Sequence, residues 1–323
     1  MNSTTPDSAT TQAPRALWLS YLSLGASMAL VGSYVSLSKI LVVVFPIFLL
    51  AWLRFGIAAV VMTPWVKRGP DESTLNSHDR WLLFLESFFG NFLFSICMLF
   101  GVAMSSALAA GVIMAGIPAA VALMSRAFLK ERISGRVMLG IACAVGGIAL
   151  VSLAKGGSHG GAGEGGTSLL GNLLLLGALT CEASYVVIGK KLAAHIGPKR
   201  ISALINLWGL ALVTPFGIWQ ALSFDFSAVT ASSWGLLGFY SIAASMITVW
   251  LWMTGLRHVP AAKAGIFTVM LPVSAAAVGV LFLGEHFSTA QAGALALALL
   301  GVVLATWPGA AATTTASATP PPG

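Results

Sequence analysis

Runs of about twenty apolar residues recur from Leu17 to Trp307, separated by short polar breaks. Each run is long enough to cross a bilayer as a helix. The pattern predicts ten spans, near 17–37, 47–66, 80–100, 107–128, 134–154, 169–190, 201–222, 233–255, 261–283 and 288–307. Helix ends read this way are good to a few residues. The alternating polar and apolar positions of a membrane β-barrel are missing. The fold class is therefore an all-α polytopic membrane protein. The longest break, GGSHGGAGEGGT from Gly156 to Thr167, has the composition of a flexible linker. It divides the spans five and five. The chain reads as a tail (1–16), a first five-helix half (17–154), a Gly-rich linker (155–168), a second half (169–307) and a second tail (308–323). Both tails are polar or low-complexity and are expected to be disordered.

Composition agrees. Charged residues are 8% of the chain, apolar residues 57%, and the mean hydropathy is +0.90. A soluble domain carries about 25% charged residues, so this chain cannot cover itself with a water-facing surface. The formal charge of +7 is read through position rather than as a nucleic-acid signal. Of the 17 Lys and Arg, 14 fall at one face when the N-terminus is placed inside. Lys39 and Lys155 fall at the other face, and Arg54 lies within a span. Basic loops face the cytoplasm, so both termini are expected there, in the cell inner (plasma) membrane. The first 16 residues lack the plan of a signal peptide. Cys97, Cys143 and Cys181 lie in apolar runs without metal-ligand spacing, and no cofactor is expected.

The chain also repeats. Shifted by 154 residues, Gly101–Leu153 overlays Gly255–Trp307 without gaps, with 14 of 53 positions identical. The shared residues include Gly101/Gly255, Pro118/Pro272, Phe128/Phe282, Glu131/Glu285, Ser134/Ser288 and Gly147/Gly301. A shift of 151 matches Ser33-Tyr34-Val35 with Ser184-Tyr185-Val186 and Lys39 with Lys190. Five spans per half is an odd number, so the halves must lie in opposite orientations. Inverted repeats of this kind build secondary transporters, with a site near the midplane between the halves.

The stretch GIPAAVALMSRAFLKERISGRVMLGIACAVGGIAL and its echo MLPVSAAAVGVLFLGEHFSTAQAGALALALLGVVL resemble the two EamA repeats of the drug/metabolite transporter superfamily. WLRFG around Arg54 resembles that family's second helix. The resemblance covers residues 17–307. It implies ten helices in two inverted five-helix repeats, and export of small metabolites from the cytoplasm.

Residues shared by both halves are expected to serve the fold. Pro118 and Pro272 would kink their helices as hinges or as architecture. Glu131 and Glu285 would cap the helices that follow, near Ser134 and Ser288. Polar residues present in one half are the candidates for substrate and coupling. Glu182 stands where the first half has Val31. Gly171, Ala178, Glu182, Tyr185 and Gly189 share one helix face, whose small residues suit close helix approach. Glu182 should thus point into the bundle, about 10 Å from the inner end. An ionised acid at that depth costs about 2.5–3.5 kcal/mol or more. A carboxyl there that gains and loses a proton would suit proton-coupled transport. It would equally suit an amine ligand, or a protonated structural role. Glu86 is either a partner for a basic residue near the inner face or a functional acid. Arg54 pairs with an acid or binds a carboxylate. Lys263 snorkels to the cytoplasm or faces the cavity. Asn91, Tyr185, Asn206, Tyr240 and Trp250 are candidate cavity residues, with core packing the competing role for the aromatics.

No HExxH, GxSxG or GxxxxGK[ST] motif occurs. The reading is a secondary active exporter of amino acids or related amine and carboxylate compounds, working by alternating access with possible proton coupling, and not an enzyme. The rivals are an integral-membrane enzyme and a passive channel or facilitator. The expected partners are a small-molecule substrate, the lipid bilayer and protons, with no nucleic acid. Monomer and homodimer both stay open.

Overall fold

The structure is a computed structural model that describes residues 13–69, 72, 74–104, 113–158, 169–283 and 289–307. Both tails, most of the Gly-rich linker and the expected cap Glu285 lie outside the described residues. The described residues form helices and no strand. We number the ten spans α1 (Ala13–Val44), α2 (Ile47–Val61), α3 (77–104), α4 (Ile117–Phe128), α5 (Gly135–Ser158), α6 (Leu169–Ala193), α7 (Pro198–Ala221), α8 (Ala231–His258), α9 (261–283) and α10 (Thr289–Thr306).

Helix starts follow local chemistry. Asn76 and Asp79 form a reciprocal capping box at α3. Pro198 opens α7, where its missing N–H is no loss. The Thr230 side chain accepts from the Ser233 amide at α8. Four spans are long and apolar enough to cross a bilayer unaided: α6, α7, α8 and the Ser77–Met98 part of α3. Among the described residues, the other six carry apolar stretches of 10–17 residues, set in α1 within a helix of 32 residues.

The sequence repeat is also a packing repeat. A Cβ placed on Gly147 would meet Ala298 Cβ at 2.5 Å and the Ala294 carbonyl at 2.7 Å. A Cβ on Gly301 would meet the Gly140 carbonyl at 2.5 Å and Ala144 Cβ at 3.3 Å. Under the 154-residue shift Gly147 becomes Gly301, Ala144 becomes Ala298 and position 140 becomes 294. The α5–α10 contact therefore maps onto itself, as a two-fold axis requires. Small residues let these backbones approach closely without side chains between them. Gly101 of α3 packs on Leu175 of α6, and Gly255 of α8 packs on Leu24 of α1. Those pairs also exchange, through the 154 and 151 shifts. Each half thus inserts its third helix against the first helix of the other.

Helical irregularities repeat with the same offset. α3 is π-helical over Phe88–Leu93 and α8 over Ile242–Ile247, 154 residues apart at both ends. The Phe94 amide bonds the Phe89 carbonyl and the Thr248 amide bonds the Ala243 carbonyl. Such insertions recur at functional sites. The two prolines differ from the expected mid-span kinks. Pro118 is the second residue of α4, after a turn at residues 115–116. Pro272 follows a 3-10 turn over Phe267–Val269. Each helix is irregular within five residues before its proline, and under the 154-residue shift the two irregular stretches overlap at Ala115 and Val269, because the ring crowds the preceding turn and removes a donor.

Candidate functional site

Glu86 is the tenth residue of α3, roughly 13 Å from its start at 1.5 Å per residue. It is 0% exposed, and neither carboxyl oxygen has a hydrogen-bond partner. The expected basic partner is not found among the described residues. Its Oε1 lies instead beside Gly189 of α6, where a Cβ would stand 2.7 Å away. Met253 and Leu256 of α8 close over the same spot, at 3.1 and 3.2 Å from that Cβ position. One turn along α3, Gly90 lies against the Tyr185 ring, where no side chain would fit. Glu182, two turns along α6 from Gly189, is half-buried and within electrostatic reach of Glu86. Glu86 and Tyr185 therefore meet where α3, α6 and α8 join the two halves, with Glu182 on the same face of α6 one turn from Tyr185.

A second cluster occupies the equivalent place in the other half. Tyr240 corresponds to Glu86 under the repeat, and each stands two residues before its π-helical turn. Where Glu86 meets glycine, Tyr240 meets Arg54. The guanidinium carbon of Arg54 lies 4.4 Å from the Phe55 ring centroid and 5.8 Å from that of Tyr240. Arg54 Nε is buried without a hydrogen bond. The acid expected beside Arg54 is not found among the described residues, whose ion pairs are His195–Asp79 and Arg200–Glu72. Aromatic faces take the place of a carboxylate.

The remaining candidates separate. Asn206 is buried, and its amide donates to the Ser202 carbonyl at 2.7 Å and the Ser245 carbonyl at 2.9 Å. It thus ties α7 to the π-helical turn of α8. Asn91 makes a long 3.4 Å bond to Ser87 Oγ. Trp250 pairs with Trp65 at 6.1 Å, which in turn carries Lys199 over its face at 5.7 Å. Lys263 is half-buried in the first turn of α9.

Glu131 departs from the expectation of a cap on the next helix. Its carboxylate accepts from the Ala261 and Ala262 amides, at 2.8 and 3.1 Å, and so caps α9 in the other half. The turn that carries it explains the reach. Lys130 adopts φ 54°, and the Glu131 amide bonds back to the Ser125 carbonyl. This left-handed helix ending swings the acid away from α5.

Two further contacts join the halves at the same basic end, and sequence reasoning missed both. Glu72 accepts from Arg200 at 3.0 Å and from the Gly197 amide at 2.7 Å. Asp79 bonds His195 at 2.8 Å. The available signal was the acidic stretch PDES and Asp79 in a chain with only ten acids, opposite the basic loop HIGPKR.

Ten apolar helices in two inverted halves, with ionisable groups buried where the halves meet, define a multi-pass membrane protein built as a transporter. The model of the EamA-like transporter family matches residues 18–153 and again 169–307, and the chain belongs to that family, within the drug/metabolite transporter superfamily. It is 36% identical over 270 residues to the uncharacterized transporter YetK of Bacillus subtilis, covering 83% of this chain and 80% of that one. The uncharacterized transporter YyaM of the same organism is 24% identical over 264 residues, or 79% and 82% of the two chains. A solved crystal structure superposes with a TM-score of 0.68 at 19% identity, over 88% of this chain and 95% of that one. That likeness speaks for the fold alone.

Proposed function

We propose that this transporter is a secondary active exporter of the inner membrane, carrying amino acids or related amine and carboxylate compounds by alternating access. Proton antiport through Glu182 is its coupling. One observation carries the reading. Glu182 is a half-buried acid on a membrane helix, close to a second acid, with neither carboxylate in an ion pair among the described residues. Charge left unpaired at membrane depth is costly and tends to mark ion or substrate pathways. The basic end of the bundle is taken as cytoplasmic. Three contacts between the halves then close that side: Glu72–Arg200, Asp79–His195 and Glu131–Ala261. Alternating access requires all three to part, driven by substrate that binds the opened state more tightly.

The test uses the full chain in liposomes with an internal pH dye and a panel of amino acids, amines and carboxylates. Wild type moves protons when its substrate is added, and accumulates that substrate against a gradient when a pH difference is imposed. A passive pore would not accumulate. Glu182→Gln loses the substrate-dependent proton signal. Full-rate transport by Glu182→Gln with unchanged pH dependence would sink the coupling assignment.

A further inference from the structure

We infer that Glu86 is an internal proton-binding site, set in series with Glu182 and served by the stretch of α8 that carries Ser245, Thr248 and Trp252. The inference rests on the transport reading of Glu182, and the test below separates the two.

Size selects the ligand. Both Glu86 oxygens are buried, and Oε1 lies so near the Gly189 backbone that a single added carbon would stand 2.7 Å away. Met253 and Leu256 fill the other side. An organic ammonium group or a hydrated metal ion does not fit such a space. A proton does.

Charge selects it too. A buried carboxylate without a counter-charge carries a desolvation penalty of several kcal/mol, and among the described residues the surrounding elements form no ion pair with Glu86. α6 presents Glu182, of like sign, and Tyr185, whose ring lies on Gly90. Lys190, next to Gly189, donates its Nζ to the Leu256 and Arg257 carbonyls at 2.8 and 3.2 Å. α7 meets the next residue of α3 through the Ile205 carbonyl, which accepts from Ser87 Oγ. On α3 itself, Asp79 is taken by His195. On α8, Arg257 and His258 lie beyond Leu256 at the basic end. Binding a proton removes the penalty.

A route is built into α8. Ser245 Oγ, Thr248 Oγ1 and Trp252 Nε1 are buried and have no hydrogen-bond partner. Thr248 and Trp252 are four residues apart on one face of the α-helical part of α8, the next residue on that face is Leu256, beside Gly189, and Ser245 lies in the π-helical turn just before them. Buried polar atoms in proteins normally find a partner, water included. The two hydroxyls both donate and accept, so with water they can hand a proton along. The indole N–H only donates and so fixes the orientation of an acceptor. The step balances: an O–H bond on Glu86 breaks as one forms on water, and an O–H bond of that water breaks as one forms on the Glu182 carboxylate.

The test is infrared difference spectroscopy on the full chain in liposomes, through a pH step in H2O and in D2O. The carbonyl stretch of a protonated carboxylic acid should be lost in Glu86→Gln and kept in Glu182→Gln. Glu86→Asp should shift that band, which covers the case in which the Gln variant does not fold. Gly189→Ala should shift it as well, by pushing on Oε1. Thr248→Val should slow its H/D exchange. A folded Glu86→Gln protein with the wild-type band overturns the inference, as does an Asp variant with an unshifted band. If Glu182→Gln keeps coupled transport while the Glu86 band behaves as expected, the coupling assignment fails and the proton site stands.

Discussion

The two halves place Glu86 and Tyr240 at the same address and give them different surroundings. Each side chain leaves a membrane helix roughly 13 Å from that helix's start, two residues before a π-helical turn. Glu86 is sealed against Gly189. Tyr240 stands beside a guanidinium. The backbone is two-fold, whereas the chemistry is not. Because the halves run in opposite directions, the acid sits nearer the basic end and the cation nearer the other. Duplicated backbone can be rocked as two matching bodies. Side chains that break the match give the two openings different affinities for protons and for substrate, as alternating access needs.

The largest effect is expected where the match is tightest. Gly147→Leu and Gly301→Leu each push a branched side chain into a backbone of the facing helix, a case of severe overpacking worth about 3 kcal/mol. Both should lower the thermal midpoint in detergent strongly and by similar amounts. If one glycine tolerates leucine and the other does not, the two-fold contact is unequal in energy and the equivalence of the halves fails at its axis.

A smaller effect should separate the two π-helical turns. Asn206→Ala removes the donor that serves the Ser202 and Ser245 carbonyls, and should cost about 1–3 kcal/mol. Asn91→Ala removes one bond of 3.4 Å and should cost less than about 1 kcal/mol. Thermal unfolding of both variants checks the order. Equal losses would mean that side-chain ties do not distinguish the two turns.

Much of this architecture was readable from the residues. Ten apolar runs, the basic bias of alternate loops and the repeated FLxE ending depend on local composition, which the bilayer constrains strongly. The meeting of Glu86 with the α6 face that carries Tyr185 and Glu182 was half readable, since Gly189, Tyr185 and Glu182 share a helix face whatever they meet. What they meet was not readable. The partner helix is set by Gly90 and Gly189, and glycine carries no label for the side chain it admits. The π-helical turns had no signal either, since FFGNFL and IAASMI share no residue type at matching positions. Glu131 was assigned to the nearer helix because sequence shows only neighbours, and its partners lie 130 and 131 residues away.

The smallest expected effect concerns the turn that aims Glu131, and the repeat itself suggests the substitution. Lys130 has a backbone conformation that costs a side-chain-bearing residue about 1–2 kcal/mol, and the second half has Gly284 at the matching position. Lys130→Gly removes that strain but gives the unfolded chain more freedom, which returns about 0.4–1 kcal/mol. The net gain should be up to about 1 kcal/mol, seen as a small rise in thermal midpoint. Lys130→Ala keeps the strain and should show no such rise. A gain for Ala equal to that for Gly would assign the effect to the lost positive charge beside Arg132 and Arg136 rather than to the backbone. The left-handed turn would then be a cheap feature of this half.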